Sequence, residues 1–358
     1  MRPETEAEVA GLVRGARGPL SVIGGGTRLL PGEGQGTRLS SAALTGVTLY
    51  EPAALTLVAR AGTPLAEIED LLASERQRLA FEPPPAPGST IGGVIAANAS
   101  GPRRVKDGAA RDSLLGVRFV DGSGEIVSNG GRVMKNVTGY DLVKLMAGSR
   151  GTLGVITEVS LKTQPIPPAS LTLALPELGA AAAVPALTAA LTGPWDVTGA
   201  AWLPRHGALI RIEGLEGSVK LRADTLSARL SAFGTVQPVG DDPWLLLRQN
   251  IPGSGAAPRP GGAVWRVACR PSQAATILTM NPEATPLALD WGASLILLSL
   301  PSDARPALPS GARALCLQGA HRGPLPPSDP DLLGDDEDPL NDIDLEELGL
   351  LTPRITDD

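Results

Sequence analysis

Aromatic residues are scarce in this chain: five Trp, three Phe and two Tyr make up 3% of its 358 residues. The core must therefore be built from Leu, Val, Ile and Ala. Histidine is scarcer still. His206 lies in Pro204-Arg205-His206-Gly207 and His321 in Ala320-His321-Arg322-Gly323, both turn-like contexts without the clustering a metal or base site needs. The two cysteines, Cys269 and Cys316, are far apart and form neither a CxxC motif nor a disulfide framework; both read as small apolar residues. No run of about 18 apolar residues exists, so no membrane span is expected. Met1 to Ala10 carries Glu4, Glu6 and Glu8 and does not read as a signal peptide. A cytoplasmic protein is expected, associated with a membrane only through partners.

Glycine and proline, by contrast, are abundant, at 43 and 34 residues. With 42% hydrophobic and 19% charged residues the chain reads as globular and long enough for roughly two domains. The net charge of −7 is unevenly spread. Ser328 to Asp358 holds twelve Asp and Glu against the single Arg354, so the body is mildly positive. That balance suits an anionic cofactor and gives no footprint for nucleic acid.

The first third alternates short strands and helices. Pro19–Ile23 reads as a short buried strand, and Val47–Tyr50 and Thr56–Ala59 as two more around the turn at Glu51-Pro52. Thr63 is the expected N-cap of a helix with Pro64 in its first position. A helix start is expected at Val94 to Asn98. Leu115–Val120 and Glu125–Val127 should pair as a hairpin around Asp121–Gly124, and a strand is expected at Gly154–Leu161. Pro165, Pro167 and Pro168 mark a domain boundary. Beyond it, Leu171–Leu175, Gly179–Leu191, Val197–Leu203, Leu209–Glu213, Ser218–Phe233 and Thr235–Pro238 follow a ferredoxin-like βαββαβ order. A weaker echo runs through Val264–Cys269, Ser272–Met280, Leu287–Trp291 and Ser294–Leu300. The expected domains are 1–166 (subdomains about 1–82 and 83–166), a cap with one antiparallel sheet and helices on one face at 167–325, and a flexible acidic tail at 326–358.

Three glycine-rich loops leave strand ends at about residues 24, 88 and 151. The first, Val22-Ile23-Gly24-Gly25-Gly26-Thr27-Arg28, can turn several backbone N–H groups towards one point and cradle a pyrophosphate. No Gly-Lys-Ser/Thr follows, so it is not a P-loop, and Leu29 replaces the third glycine of a Rossmann fingerprint. The second, Pro87-Gly88-Ser89-Thr90-Ile91-Gly92-Gly93, offers loop N–H groups, two hydroxyls and a helix N-terminus at Gly93 as phosphate donors. The third is Ser149-Arg150-Gly151-Thr152-Leu153-Gly154-Val155-Ile156-Thr157. A single such loop is equally well a surface turn. Three converging loops fit a long two-phosphate cofactor.

Together with Arg132–Leu142 and Gly151–Glu158, these loops resemble the PCMH-type FAD-binding fold of flavoprotein oxidases and dehydrogenases, over about Val22 to Gln164. The stretch Gly88–Gly93 is similar to that of bacterial glycolate oxidase and D-lactate dehydrogenase flavin subunits. Asn98–Arg104 and Asp290-Trp291-Gly292 favour the family of the smaller glycolate oxidase subunit, E. The resemblance implies an α+β fold, with a PCMH-type FAD-binding domain followed by a ferredoxin-like cap. It implies FAD contacts from Ile23, Gly24, Gly25, Gly26, Thr27 and Arg28 on the pyrophosphate. Pro87, Gly88, Ser89, Thr90, Ile91, Gly92, Gly93 and Asn98 would line the flavin side, and Gly151, Gly154, Val155 and Ile156 the remaining reach. Covalent tethering in this family uses a His in the first loop. None is present, so FAD is expected to be held non-covalently.

The same resemblance implies partners: a larger flavin subunit, an iron–sulfur subunit and, for the complex, a small 2-hydroxy acid. Oxidising such an acid needs a base and cations for its carboxylate. Arg103, Arg104, Lys106, Asp107, Arg111, Lys135 and Asp141 are the charged candidates near the loops, each equally well a surface or ion-pair residue. Tyr140 suits flavin stacking or core packing alike. The catalytic residues stay unassigned. Three alternatives compete with an FAD-containing electron-transfer subunit. One is a self-contained 2-hydroxy acid dehydrogenase. Another is an assembly subunit with a decayed site. The third is an enolpyruvyl-sugar reductase, for which no Ser and Glu donor pair is evident.

Overall fold

A computed structural model of the chain describes residues 1–132, 140–249 and 262–319. The helix Glu6–Arg14 starts at an N-cap Thr5 whose hydroxyl accepts from the Glu8 N–H at 3.2 Å. It buries Val9, Ala10 and Val13, the spacing of one helical face. These meet Leu39, Leu44, Val120 and Val155. Beside the helix, strands β1 (Leu20–Ile23) and β2 (Thr37–Ser40) form a parallel pair.

A second, antiparallel sheet joins β3 (Val47–Glu51), β4 (Thr56–Arg60), β5 (Gln77–Leu79), β6 (Leu114–Val120), β7 (Ile126–Gly130) and β8 (Val155–Pro165). Its order is β3-β4-β8-β6-β7, with β5 on the far end of β8. The helices Leu65–Ser74 and Ile91–Ala96 pack on this sheet through Ile68, Leu72, Ile91 and Ile95 against Leu57, Val159 and Leu161.

Two sequence expectations change here. The subdomain break expected near residue 82 runs through one sheet, because β4 pairs with β8 across about a hundred residues of chain. Such long-range pairing leaves no local signal. The cap position of the second helix is Pro64, not Thr63, whose hydroxyl donates instead to the Arg60 and Gly46 carbonyls at 2.7 and 3.3 Å. The hairpin at Asp121 forms as expected: the Asp121 carboxylate accepts from Ser123 and Glu125 N–H groups at 2.9 and 2.8 Å.

The rest of the described chain builds one eight-stranded antiparallel sheet from β9 (Ala169–Leu175), β10 (Val197–Leu203), β11 (Gly207–Gly214), β12 (Gln237–Val239), β13 (Gly262–Ala268), β14 (Thr285–Asp290), β15 (Leu295–Pro301) and β16 (Arg313–Gln318). The order β12-β9-β11-β10-β14-β15-β13-β16 splits into two ferredoxin-like halves joined where Trp202 meets Leu289. In the first half the helices Ala180–Leu191 and Glu216–Leu230 follow its first and third strands. The second half repeats the strand order with the helix Pro271–Met280 alone; residues 302–312 replace its second helix, and Ala304 and Leu308 pack down from them. β16 is the strand that the sequence pattern did not signal. The expected one-sided arrangement also needs correcting. A further helix, Asp242–Gln249, lies on the opposite face, where Trp244 and Leu247 cover Ala174, Ala201, Leu203 and Leu209. The acidic segment 326–358 lies outside the described residues. No helix of the described residues is long and apolar enough to cross a membrane.

Candidate cofactor site

The three glycine loops meet. A Cβ on Gly24 would lie 2.3 Å from the Thr90 hydroxyl, and one on Gly25 would lie 1.7 Å from the Gly88 carbonyl oxygen. A Cβ on Gly92 would overlap Ala61 at 2.6 Å, and one on Gly151, at φ +80°, would press on Val22 at 3.0 Å. Glycine is thus required for the loops to touch one another, in addition to any ligand. The third loop is tied to the second through Gly148 N–H to the Ile95 carbonyl, 3.1 Å, and Arg150 N–H to the Ala96 carbonyl, 2.9 Å.

Between the loops lies a cleft of about 640 Å³. Of the residues that sequence reasoning proposed, Ile23, Gly24, Gly25, Gly26, Thr27, Arg28, Thr90, Gly92, Gly93, Gly151, Gly154 and Ile156 line it. The backbone N–H groups of Gly24 to Arg28 find no acceptor among the described residues. Five consecutive donors without partners at a cleft wall suit a diphosphate, since backbone donors rarely stay unpaired. Arg28 adds a cation. Its guanidinium donates to the Ser89 hydroxyl and to the Pro84 carbonyl, the latter at 2.7 Å, and burial lowers its pKa to about 10, with Glu69 working the other way.

The second loop behaves differently from expectation. Its helix begins at Ile91 under a Thr90 cap rather than at Gly93. The N–H groups of Ser89, Ile91, Gly92 and Gly93 already donate to Ala86, Thr63, Ala61 and the Thr90 hydroxyl. They are spent on holding the loop, so its contribution to the cleft is surface rather than donors. Pro87, Gly88, Ser89, Ile91, Asn98 and Val155 line neither this cleft nor its neighbour. Asn98, at φ +45°, accepts the Arg111 N–H at 3.0 Å through Oδ1, and Val155 is fully buried in β8.

Ala96 and Ala97 line the cleft too, from the helix start that the sequence offers as thin enough to lie under a planar ring; Leu29, Glu33, Ser41 and Arg150 also line it, and sequence reasoning assigned them no contact. Arg150 reaches back to Glu33 through Nε and Nη2, at 2.5 and 2.8 Å, and to the Arg28 carbonyl. Burial works to raise the Glu33 carboxyl, but Arg150 and the Leu30 N–H overcome it and hold the group below its usual range. This strap pins the stretch between residues 28 and 33 across the cleft mouth.

The cleft continues into a second pocket of about 770 Å³, part of it open to solvent, between the N-terminal sheets and the eight-stranded sheet, sharing Arg28, Leu29, Ala97 and Arg150. One wall is Pro84, Ala97, Ala99 and Ser100; the other is Arg266, Trp291, Leu295, Leu297, Leu315 and Leu317. Trp291 sits in a left-handed turn, with φ +53° there and +72° at Ala293, which is a strained conformation for both. Asp290 secures the turn by accepting the Trp291 N–H at 2.7 Å, and burial raises its carboxyl to about 8. The Trp291 indole donates to the Gly101 carbonyl at 3.0 Å, and Arg104 and Arg266 lie 4.4 and 5.1 Å from its ring.

A buried ion network docks the cap onto this wall. Arg211 of β11 grips Glu82 at 2.8 and 3.2 Å, and Arg103 binds Glu213 of the same strand through two hydrogen bonds of 2.9 Å. Arg78 adds a 2.8 Å bond to Glu213, and Arg103 a 2.9 Å contact to Glu82. Burial acts to raise both carboxyls, and the arginines outweigh it, leaving Glu82 and especially Glu213 below their usual range.

Residues 1–130 match the family model described as FAD binding domain. Glycolate oxidase subunit GlcE of Escherichia coli (strain K12) is 38% identical over 251 residues, covering 70% of this chain and 67% of that protein. The chain belongs to the GlcE family of PCMH-type FAD-binding flavoproteins. A D-lactate dehydrogenase of Anaerostipes hadrus is 35% identical over 179 residues, which cover 48% of this chain but only 37% of that enzyme. Among solved structures, 4-ethylphenol oxidase from Gulosibacter chungangensis aligns with a TM-score of 0.65 at 13% identity, over 84% of this chain and 74% of that one. An alkyldihydroxyacetonephosphate synthase aligns at 0.60 and 18%, over 84% and 68%. The cofactor of the family is FAD, and the relatives are FAD-linked oxidoreductases.

The charged candidates from the sequence separate. Arg103 and Asp107 belong to the buried network, and Arg104 lies on Trp291. Lys106 and Arg111 form exposed pairs with Asp196 and Asp112, and Asp141 caps the helix Leu142–Met146. Tyr140 is 78% exposed, so it is not core. His206 sits in the turn between β10 and β11 and lines neither cavity. Lys135 and His321 lie outside the described residues.

Proposed function

We propose that this chain is the FAD-carrying subunit of a glycolate oxidase complex and that it holds FAD non-covalently. The diphosphate would lie on the free N–H groups of Gly24 to Arg28, with the flavin ring reaching the interdomain cavity. The observation that carries the reading is the make-up of that cavity's lining. Among the described residues it holds three arginines and the Ser100 hydroxyl, but no His, Asp, Glu, Lys or Tyr. Bound FAD supplies two-electron chemistry there. The described residues supply cations and an apolar wall, and among them no side chain is placed to take a hydroxyl proton.

Glycolate oxidation would then fall to a larger sister flavin subunit, with an iron–sulfur subunit taking the electrons. A stretch of 85 residues that is 46% identical to Glycolate oxidase subunit GlcD of Bacillus subtilis (strain 168) supports kinship with such a sister. The test is tagged co-purification from the native host, followed by an absorbance spectrum. Flavin bands released by acid precipitation, together with two co-purifying subunits, are expected. A flavin-free chain, or a lone flavoprotein bleached anaerobically by glycolate or D-lactate, would overturn the proposal.

A further inference from the structure

The segment Glu82-Pro83-Pro84 runs between the glycine cleft and the cap, and each of its residues is held. Glu82 is buried in a left-handed conformation, φ +49°, which a residue before proline seldom adopts. Arg211 of the cap keeps it there through bonds of 2.8 and 3.2 Å to its carboxylate, with Arg103 at 2.9 Å. The Pro83 carbonyl accepts from Arg248 of the helix Asp242–Gln249 at 2.7 Å. The Pro84 carbonyl accepts from Arg28 of the first glycine loop, also at 2.7 Å. Two buried prolines with fixed φ leave the segment few ways to bend between these grips. Cap and cleft therefore hold neighbouring carbonyls of one stiff rod.

Arg28 depends on that rod. Among the described residues it forms no ion pair; its guanidinium donates to the Thr27 and Ser89 hydroxyls and to the Pro84 carbonyl. Thr27 and Ser89 belong to the glycine loops, so Pro84 is the acceptor that the cap can move. Glu69, on the helix Leu65–Ser74, joins the arrangement from the side, 3.8 Å from Arg248. Burial raises its carboxyl, and Arg248 and Arg28 pull it back.

Resting on the reading that the FAD diphosphate lies on Gly24 to Arg28, we propose that Arg248 is a positioning residue for the cofactor: through Pro83 and Pro84 it fixes the carbonyl that aims the Arg28 guanidinium at the diphosphate. The cap thus contributes to FAD binding at the first loop with no side chain of its own there. By linkage, bound FAD in turn holds the helix Asp242–Gln249 in its place.

The test is a double-mutant cycle on the full-length chain, with FAD affinity read from the fluorescence of FAD released on dilution. R28M removes a charge-assisted contact and should weaken FAD about 30-fold. R248M should weaken it about fivefold. The double variant R28M/R248M should bind no more weakly than R28M, since Arg248 acts through Arg28. R248K should recover part of the loss, because its ammonium still donates to the Pro83 carbonyl. P83A keeps that carbonyl but loosens the rod. It should weaken FAD about threefold, and only with Arg28 present, so the test stands even where R248M does not fold. A merely loosened cap would instead give independent losses, which multiply to about 150-fold in the double variant. That product, or R248M and P83A binding FAD as tightly as the native chain, would overturn the proposal. R28M and G25A both leaving FAD affinity intact would defeat the placement of the diphosphate on which it rests, whatever the Arg248 variants do.

Discussion

The glycine cleft and the cap wall of the cavity beside it are built by opposite means. The cleft is mainly backbone. Glycines at 24, 25, 92 and 151 let three loops touch, and the N–H groups of Gly24 to Arg28 are left without acceptors among the described residues. The cap wall is side chain. Four leucines, Trp291 and Arg266 come from three strands and a strained turn. A backbone wall can hold a ligand shared by a whole family, because it depends on conformation and not on residue identity. A side-chain wall can be changed one residue at a time, so ligand choice belongs there. The buried network of Arg78, Arg103, Arg211, Glu82 and Glu213 sets the distance between the two.

That network offers the hardest way to break the comparison. Glu213→Gln leaves Arg78 and Arg103 facing each other without their shared counter-charge. Removing one partner of a buried pair typically costs about 3–5 kcal/mol. Thermal unfolding should show that loss, and the flavin, if it bridges the two walls, should be released at the lower temperature. Acid should mimic the mutation. The folded Glu82 and Glu213 carboxyls ionise more readily than in the unfolded chain, where Glu titrates at about 4.3. Their stabilisation is therefore complete above that pH and is lost as pH falls through the lower folded values. Glu213→Gln should flatten this acid limb. An unchanged midpoint and an unchanged acid limb would mean that the two walls are not held by this network.

A narrower break targets the backbone wall alone. Gly25→Ala places a Cβ 1.7 Å from the Gly88 carbonyl oxygen, a backbone atom that cannot swing aside. The two loops must part, and FAD affinity should fall by about 100-fold, or about 2.8 kcal/mol at 1.4 kcal/mol per tenfold. Gly11→Ala is the control, since nothing lies within 4 Å of its added Cβ and alanine favours a helix. Retained flavin in Gly25→Ala would show that loop contact is not what shapes the cradle.

The contrast between the walls also explains what the sequence could reveal. The cradle was legible because glycines cluster next to one another in the chain, and a run such as Gly24-Gly25-Gly26 has few structural excuses. Even so, the N–H groups of Ile91 and Gly92 in the Gly88–Gly93 loop go to Thr63 and Ala61, through contacts distant in sequence that its glycines could not announce. The cap halves were legible from their strand and helix order, and β16 was not, since residues 302–312 replace the helix that would have announced it. The cap wall itself left almost no trace. Leu295 and Leu297 read as ordinary strand core, and Leu315 and Leu317 lay in the strand that the pattern did not signal. A charged residue inside an otherwise apolar strand was the available signal. The interdomain arginines gave none, because exposed and buried arginines look alike in a sequence.

The mildest perturbation tests whether the backbone wall is fixed or can be opened at its rim. Arg150 holds Glu33 and the Arg28 carbonyl across the mouth of the cleft, and the Glu33 carboxylate takes two of its N–H groups while also accepting from Leu30. Glu33→Gln keeps the shape and one acceptor but removes the charge. The pair is partly exposed, so the loss is about 1 kcal/mol or less, and no change of fold is expected. If the strap acts as a latch, the flavin should dissociate roughly threefold to fivefold faster, read from the recovery of free-FAD fluorescence, with a smaller change in thermal midpoint than in off-rate. High salt should speed release from the native chain and have little further effect on Glu33→Gln, because screening and substitution remove the same attraction. Equal off-rates at low and high salt in both proteins would show that the rim is held by the loops' own packing and that the strap only decorates it.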